Sequence, residues 1–152
     1  MTHSRKQVRD SVVNLLTFAS APWNRAYPQR DAPQRVVYPY ILVYTPNEQS
    51  RPLTMGVPYT VERNVTLITQ AHLRISGAEE IEDKFDDVAA EVEKKLTYEF
   101  LAGEIKRLVG ISLVSTESDI VVNAEQERLY GELTLTWNVS YHTEEGNPEI
   151  FK

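Results

Sequence analysis

Cysteine is missing from all 152 residues. Its absence excludes a disulfide framework, a thiolate metal site and a thiol nucleophile. Glycine is scarce and scattered: the six copies stand at 56, 77, 103, 110, 131 and 146. That spacing builds neither a phosphate-cradling loop nor a dinucleotide fingerprint. No apolar run approaches the ~20 residues of a membrane-spanning helix. The opening MTHSRKQVRDSVVNLL is basic but has no long apolar stretch or small-residue cleavage site, so the expectation is a chain that folds inside a cell. The two glycosylation-type triplets, at Asn64 and Asn138, then carry no message. No internal repeat or low-complexity tract breaks the chain.

What is present suits one globular domain, since a chain of this size buries about 70% of the surface its unfolded form exposes. The net charge of −6 argues against a protein whose main task is gripping nucleic-acid phosphates. That sum conceals a gradient. Residues 1–75 carry nine Lys/Arg against four Asp/Glu, a balance of +5, and residues 76–152 carry seven against eighteen, a balance of −11. Two readings stay open: both sets are simply solvated, or the basic part of one subunit faces the acidic part of the next in a head-to-tail ring.

Periodicity supplies the elements. Val8, Val12, Leu15, Leu16 and Ala19 recur at helical spacing between Ser4 and Ala19, ahead of Pro22. Residues 22–34, with Pro22, Pro28 and Pro33, read as an irregular connection with a short edge strand near Tyr27. RVVYPYILVYT, 35–45, is apolar at both alternating sets and predicts a strand covered on both faces, with Pro39 leaving a gap in its ladder. Residues 46–58, punctuated by Pro46, Pro52, Gly56 and Pro58, form a long loop between two strong strands, which favours a protruding hairpin arm. In VERNVTLITQAHLRIS, 61–76, Val61, Val65, Leu67, Ala71, Leu73 and Ile75 alternate with Glu62, Asn64, Thr66, Gln70, His72 and Arg74. A period of two predicts a strand with one buried and one polar face.

Ser76 and Glu79 have capping-box spacing ahead of a helix predicted over Glu79–Leu101, with Ile81, Phe85, Val88, Val92, Leu96 and Phe100 as its apolar stripe. Gly103 stops it, and EIKRLV reads as a short continuation. GISLVSTESDIVVN and ERLYGELTLTWNVSYHT predict two further strands, the last repeating the alternation of 61–76. The tail, 144–152, reads as loose, with Ile150 and Phe151 free to dock on a neighbour. The expected architecture is an α+β, two-layer domain: a mixed or antiparallel sheet of about four to five strands with two main helices on one face. The polar face of the two clean strands either meets water or lines a wet interface.

Candidates for chemistry are few. His72 and His142 share the polar face and become neighbours if their strands pair suitably; a metal or catalytic pair stands against two ordinary surface histidines. Glu79, Asp83 and Asp87 form like-charge i,i+4 pairs, either sharing a divalent cation or making a solvated helix face at its favourable end. No nucleophile elbow places a serine. The expectation is a protein with no catalytic residue, no metal and no cofactor.

Several segments together resemble the siphophage tail terminator family, to which the minor tail protein U of phage lambda belongs. They are the N-terminal helix from Arg5 to Leu16, YPYILVYT at 38–45 before a polar loop, RNVTLITQAHLRI at 63–75, the helix with an acidic start, and the closing LTLTWNVSYHT at 133–143. This chain is longer than the lambda protein, chiefly at 27–35 and 46–58, so contacts of those segments do not carry over. The resemblance implies a structural virion protein at the head-proximal end of the tail. Its copies form a hexameric ring that caps the tail-tube protein, ends its polymerisation and presents the other face to the head completion or connector protein. DNA passes through the bore without specific binding, and no membrane is involved. A closing heterologous ring needs two complementary patches per subunit. Arg30, Arg35, Arg63 and Arg74 on one side, with Glu80, Asp83 and Asp87 on the other, are the candidates. Apolar area must supply most of the affinity; Tyr38, Tyr40 and Tyr44 either provide it or pack under the N-terminal helix. For the tail-tube contact, the arm offers Asn47, Glu48, Gln49, Ser50, Arg51, Leu53 and Met55, unless it is a mobile loop. A neck or tail-completion protein is the alternative in the same setting; a small-ligand or metal-binding module using His72 and His142 is the alternative of another class.

Overall fold

The computed structural model describes residues 3–75, 81–123 and 128–148. Along the chain these form α1 (Ser4–Leu15), β1 (Arg25–Tyr27), β2 (Tyr40–Pro52), β3 (Thr60–Ile75), α2 (Ile81–Lys95), α3 (Tyr98–Glu104), β4 (Leu108–Asn123) and β5 (Arg128–Glu144). The strands make one mixed sheet in the order β1-β2-β3-β5-β4, with β1 parallel to β2 and every other pair antiparallel. The α+β, two-layer expectation holds, with a third, short helix added.

Alternation decides which sheet face is sealed. β3 and β5 pair along their length from Thr60 opposite Glu144 to Ile75 opposite Leu129. Val65, Leu67 and Ala71 thereby stand opposite Val139, Trp137 and Leu133, with Leu73 and Leu135 on the same face. Val8, Val12 and Leu16 of the α1 segment, Ile81, Phe85, Val88 and Val92 of α2, and Leu101 and Ile105 around α3 cover that face. Each such side chain contributes about 1.5–3 kcal/mol of burial.

The boundaries differ from the periodic reading in four places, each for a local reason. α1 ends at Leu15 rather than Ala19, because the Trp23 indole donates to the Leu16 carbonyl at 2.8 Å and takes it out of a further helical turn. β2 starts at Tyr40: Pro39 has no N–H to give a ladder, and its carbonyl accepts from Asn24 N at 2.7 Å. The chain turns away before it, leaving Val37 exposed while Tyr40, Ile41, Leu42 and Val43 are sealed on both sides. β2 then continues to Pro52, so most of what reads as a loop is the distal half of a β2–β3 hairpin.

The fourth difference is in the helix predicted over Glu79–Leu101, which is two helices. Thr97 is extended (φ −100°, ψ 161°) and its hydroxyl caps Phe100 N, restarting the helix out of phase. Phe100 leaves the apolar stripe and is 51% exposed. EIKRLV is not a helical continuation: Ile105 is extended, Arg107 has a φ of 27°, and β4 begins at Leu108.

The proposed Ser76–Glu79 capping box lies outside the described residues, as do Ile150 and Phe151. At the other end of β5, Glu145 N donates to Tyr59 O at 2.9 Å and Ser4 N to Pro148 O at 2.7 Å. Among the described residues no helix is long and apolar enough to cross a membrane.

Candidate assembly surfaces

A register shift between Tyr44 and Asn47 controls the arm. Before it, Val43 lies opposite Thr69 on the helix-covered face; after it, Glu48 takes that orientation opposite Val65. A β-bulge inserts one residue and so exchanges the two faces of a strand. It turns a glutamate inward, where partners await it. Arg63 Nη1 donates to Glu48 Oε1 at 3.3 Å and Arg63 Nε donates to Thr143 Oγ1 at 2.8 Å. The Tyr141 hydroxyl lies 3.1 Å from Glu48 Oε1 and 2.9 Å from Ser4 Oγ. It has one proton, which goes to the carboxylate, leaving the serine to donate back. Arg5 Nε adds an ion pair to Glu48 Oε2 at 3.6 Å. Burial pushes the Tyr141 phenol above its ordinary range, so it stays a donor. This network ties the N-terminus of α1 to three strands.

Arg63 and Glu48 are thus both engaged inside the subunit. The other sequence candidates lie elsewhere. Arg30 is exposed, with its guanidinium 5.3 Å from the centre of the Tyr44 ring, and Arg35 is exposed on the segment leading to β2. Arg74 and Asp87 come together with Lys84 around a cavity of about 610 Å³ whose apolar wall includes Val36, Leu73 and Val88. Asp83 is exposed on α2; Glu80 lies outside the described residues. Asn47, Gln49, Ser50 and Arg51 are exposed on the distal half of β2. Arg51 Nη2 donates to Glu62 Oε2 at 3.0 Å, and that bond, more than any other influence, holds the Glu62 carboxyl below its usual range.

At the tip of the arm Leu53 is 41% exposed, Val57 93%, and Met55 has no cover at all. Leu53 N donates to Thr60 O and Thr60 N to Thr54 Oγ1, both at 2.8 Å, so the tip is a closed turn. Three exposed apolar side chains grouped within five residues make this tip a candidate contact site.

The open sheet face carries a feature that periodicity could not show. Tyr40 stacks on His72 with ring centres 4.8 Å apart and planes 8° apart, while Tyr38 reaches across to Tyr130 at 5.4 Å. Tyr38 and Tyr40 therefore pack opposite the helices, not under α1. The His72 Nε2–H donates to Gln70 Oε1 at 2.9 Å, and burial lowers the His72 pKa against an opposing pull from Glu132. His72 and His142 do not meet. Antiparallel register sets His72 opposite Glu132 and His142 opposite Glu62, which separates them by about 33 Å of strand. A shared metal or catalytic pair is ruled out by that distance. Among the described residues no group of three His, Asp or Glu side chains could hold a metal ion.

Register also fixes what the two sheet edges present. The row through Arg25, Tyr40, His72, Glu132 and Asp119 runs from one edge to the other on the open face. Two residues along, the row through Tyr27, Leu42, Gln70 and Thr134 ends at Glu117. Arg25, Asp119 and Glu117 are all exposed. None of the three stands out in the sequence, because strand order alone brings them to the edges.

No protein-family model matches the chain, and no curated protein matches it. Among solved structures it is similar to a chain from "Virion of native gene transfer agent (GTA) particle", with 12% sequence identity, coverage of 91% of this chain and 95% of that one, and a TM-score of 0.44.

Proposed function

We propose that this chain is a ring-forming tail terminator: a virion protein that caps the tail tube, stops its polymerisation and offers the head side a joining surface. It acts through shape, with no bond-making centre. The reading starts from the sequence resemblance, and one observation carries it further: the closed tip of the β2–β3 arm, where Leu53, Met55 and Val57 stand exposed. A protein that stops a polymer must bind the last subunit and hide the growing surface. An apolar tip at the end of a long paired ladder can reach beyond its own domain to do so. The network around Glu48 ties the base of that arm to α1, β3 and β5, which sets the direction in which the arm leaves the domain.

The test adds purified protein to polymerising tail tubes and measures tube length by electron microscopy. Tubes of arrested length, with the protein at one end, are the expected result. Tubes that grow on unchanged sink the proposal; binding to head connectors without arrest transfers the role to the neck or completion protein.

A further inference from the structure

We infer that the neighbour of this chain is a second copy, docked with its β4 alongside the β1/β2 edge and with Asp119 and Glu117 facing Arg25. The inference rests on the ring reading and specifies its interface.

The direction of the strands comes first. β3 is antiparallel to β2 and to β5, and β4 is antiparallel to β5, so β4 runs opposite to β2 and to the parallel β1. Rotation about an axis along the strands preserves strand direction. A copy generated that way brings its β4 antiparallel to this edge, the better pairing geometry. Height agrees as well. Arg25 shares a row with Asp119, and Tyr27 with Glu117, so no shift along the strands is needed to match cation to anion. All lie on the open face, where the side chains of adjacent strands meet.

The rest of the edge fits the same arrangement. β4 has register shifts between Leu108 and Gly110 and between Leu113 and Ser115, which set Val109 and Val114 outside the ladder. They are 50% and 63% exposed. Bulges spoil backbone pairing there, whereas the ladder from Ser115 to Val121 is regular and stands level with β1. The upper half of the contact is therefore made by Val109, level with Gln49 and Ser50, and Val114, level with the bulge between Tyr44 and Asn47, and the lower half by strand pairing and charge.

Charge also selects this arrangement over its main competitor. A two-fold β4-to-β4 contact centred on Ser118 would place Glu117 of each copy opposite Asp119 of the other, and like charges opposite one another are destabilising. The head-to-tail contact uses two different patches, as a closing ring requires.

The experiment measures native mass against concentration for the full chain, with circular dichroism to check folding. The wild type is expected to form a ring, and Arg25→Glu and Asp119→Arg each to raise the concentration of half-dissociation by about tenfold or more. The exchange of both, Arg25→Glu with Asp119→Arg, is expected to restore the ring, and Val114→Lys to weaken it while leaving the fold intact. A ring indifferent to the single reversals, or an exchange that fails to restore it, overturns this interface while leaving the ring reading in place. A monomeric wild type overturns both.

Discussion

The two faces of β3 and β5 are made from the same strands, yet they do opposite work. On the helix-covered face Leu67, Leu135 and Val139 are sealed to 1% exposure or less. On the other, Asn64, Thr66, Gln70, Thr134 and Thr136 remain half-exposed, bridged in places by hydrogen bonds such as Gln70 Nε2 to Thr134 Oγ1 at 3.3 Å. One face holds the fold together; the other is left available for contacts and water. The contrast teaches that a side chain's consequence here is set by strand parity more than by its chemistry.

The sharpest break in that contrast is between neighbours. Leu67→Asp places an unpaired charge in the core at a cost of several kcal/mol and should abolish folding; Thr66→Asp, one residue away, should melt close to the wild type. Equal melting of the two variants would show the faces to be wrongly assigned.

Two ion pairs test the same idea for charges. Glu48–Arg63 is on the covered face, with the two side chains 13% and 16% exposed, whereas Glu62–Arg51 is on the open one. Removing one partner of an enclosed pair strands the other, so Arg63→Ala should cost about 3 kcal/mol. Arg51 is 68% exposed and Glu62 16%, so water can take the place of the guanidinium and Arg51→Ala should lower the melting temperature far less. Thermal unfolding of both variants in one buffer decides the point.

Much of this was legible beforehand. Alternation alone marked both faces of β3 and β5, and the double apolar pattern marked the part of β2 covered on both sides. Arg63 is read from the sequence as a candidate for the contact between subunits, although its odd position, in phase with Val61 and Val65, carries the signal that it turns inward. Glu48 was not readable, because the bulge that turns it inward depends on pairing with β3. The split at Thr97 had a local signal, a threonine able to cap, hidden under an apolar stripe that continued through it. The separation of His72 from His142, and the meeting of Arg74 with Asp87, depend on register and on how α2 crosses the sheet, which no periodicity contains.

Smaller effects sharpen the picture at the arm and on the open face. Met55→Asp with Val57→Asp should leave melting within about 0.5 kcal/mol of the wild type, and should remove tube arrest in the microscopy assay. The pH dependence should be slighter still. Burial lowers the His72 pKa from 6.5, so the unfolded chain takes up the proton first as pH falls. The contribution of neutral His72 is thus complete above about pH 6.5 and is lost progressively below it. His3, also lowered chiefly by burial, tilts stability the same way. Melting followed from pH 7.5 to 5 should show a shallower decline in His72→Gln than in the wild type; an identical slope would remove His72 from this account.

The central claim is that the chain works as copies arranged in a ring. Native mass measured on the purified full-length protein over a range of micromolar concentrations tests it most directly. A closed species of about six subunits, each of 17.4 kDa, is the expected result; a single 17.4 kDa species at every concentration would contradict it.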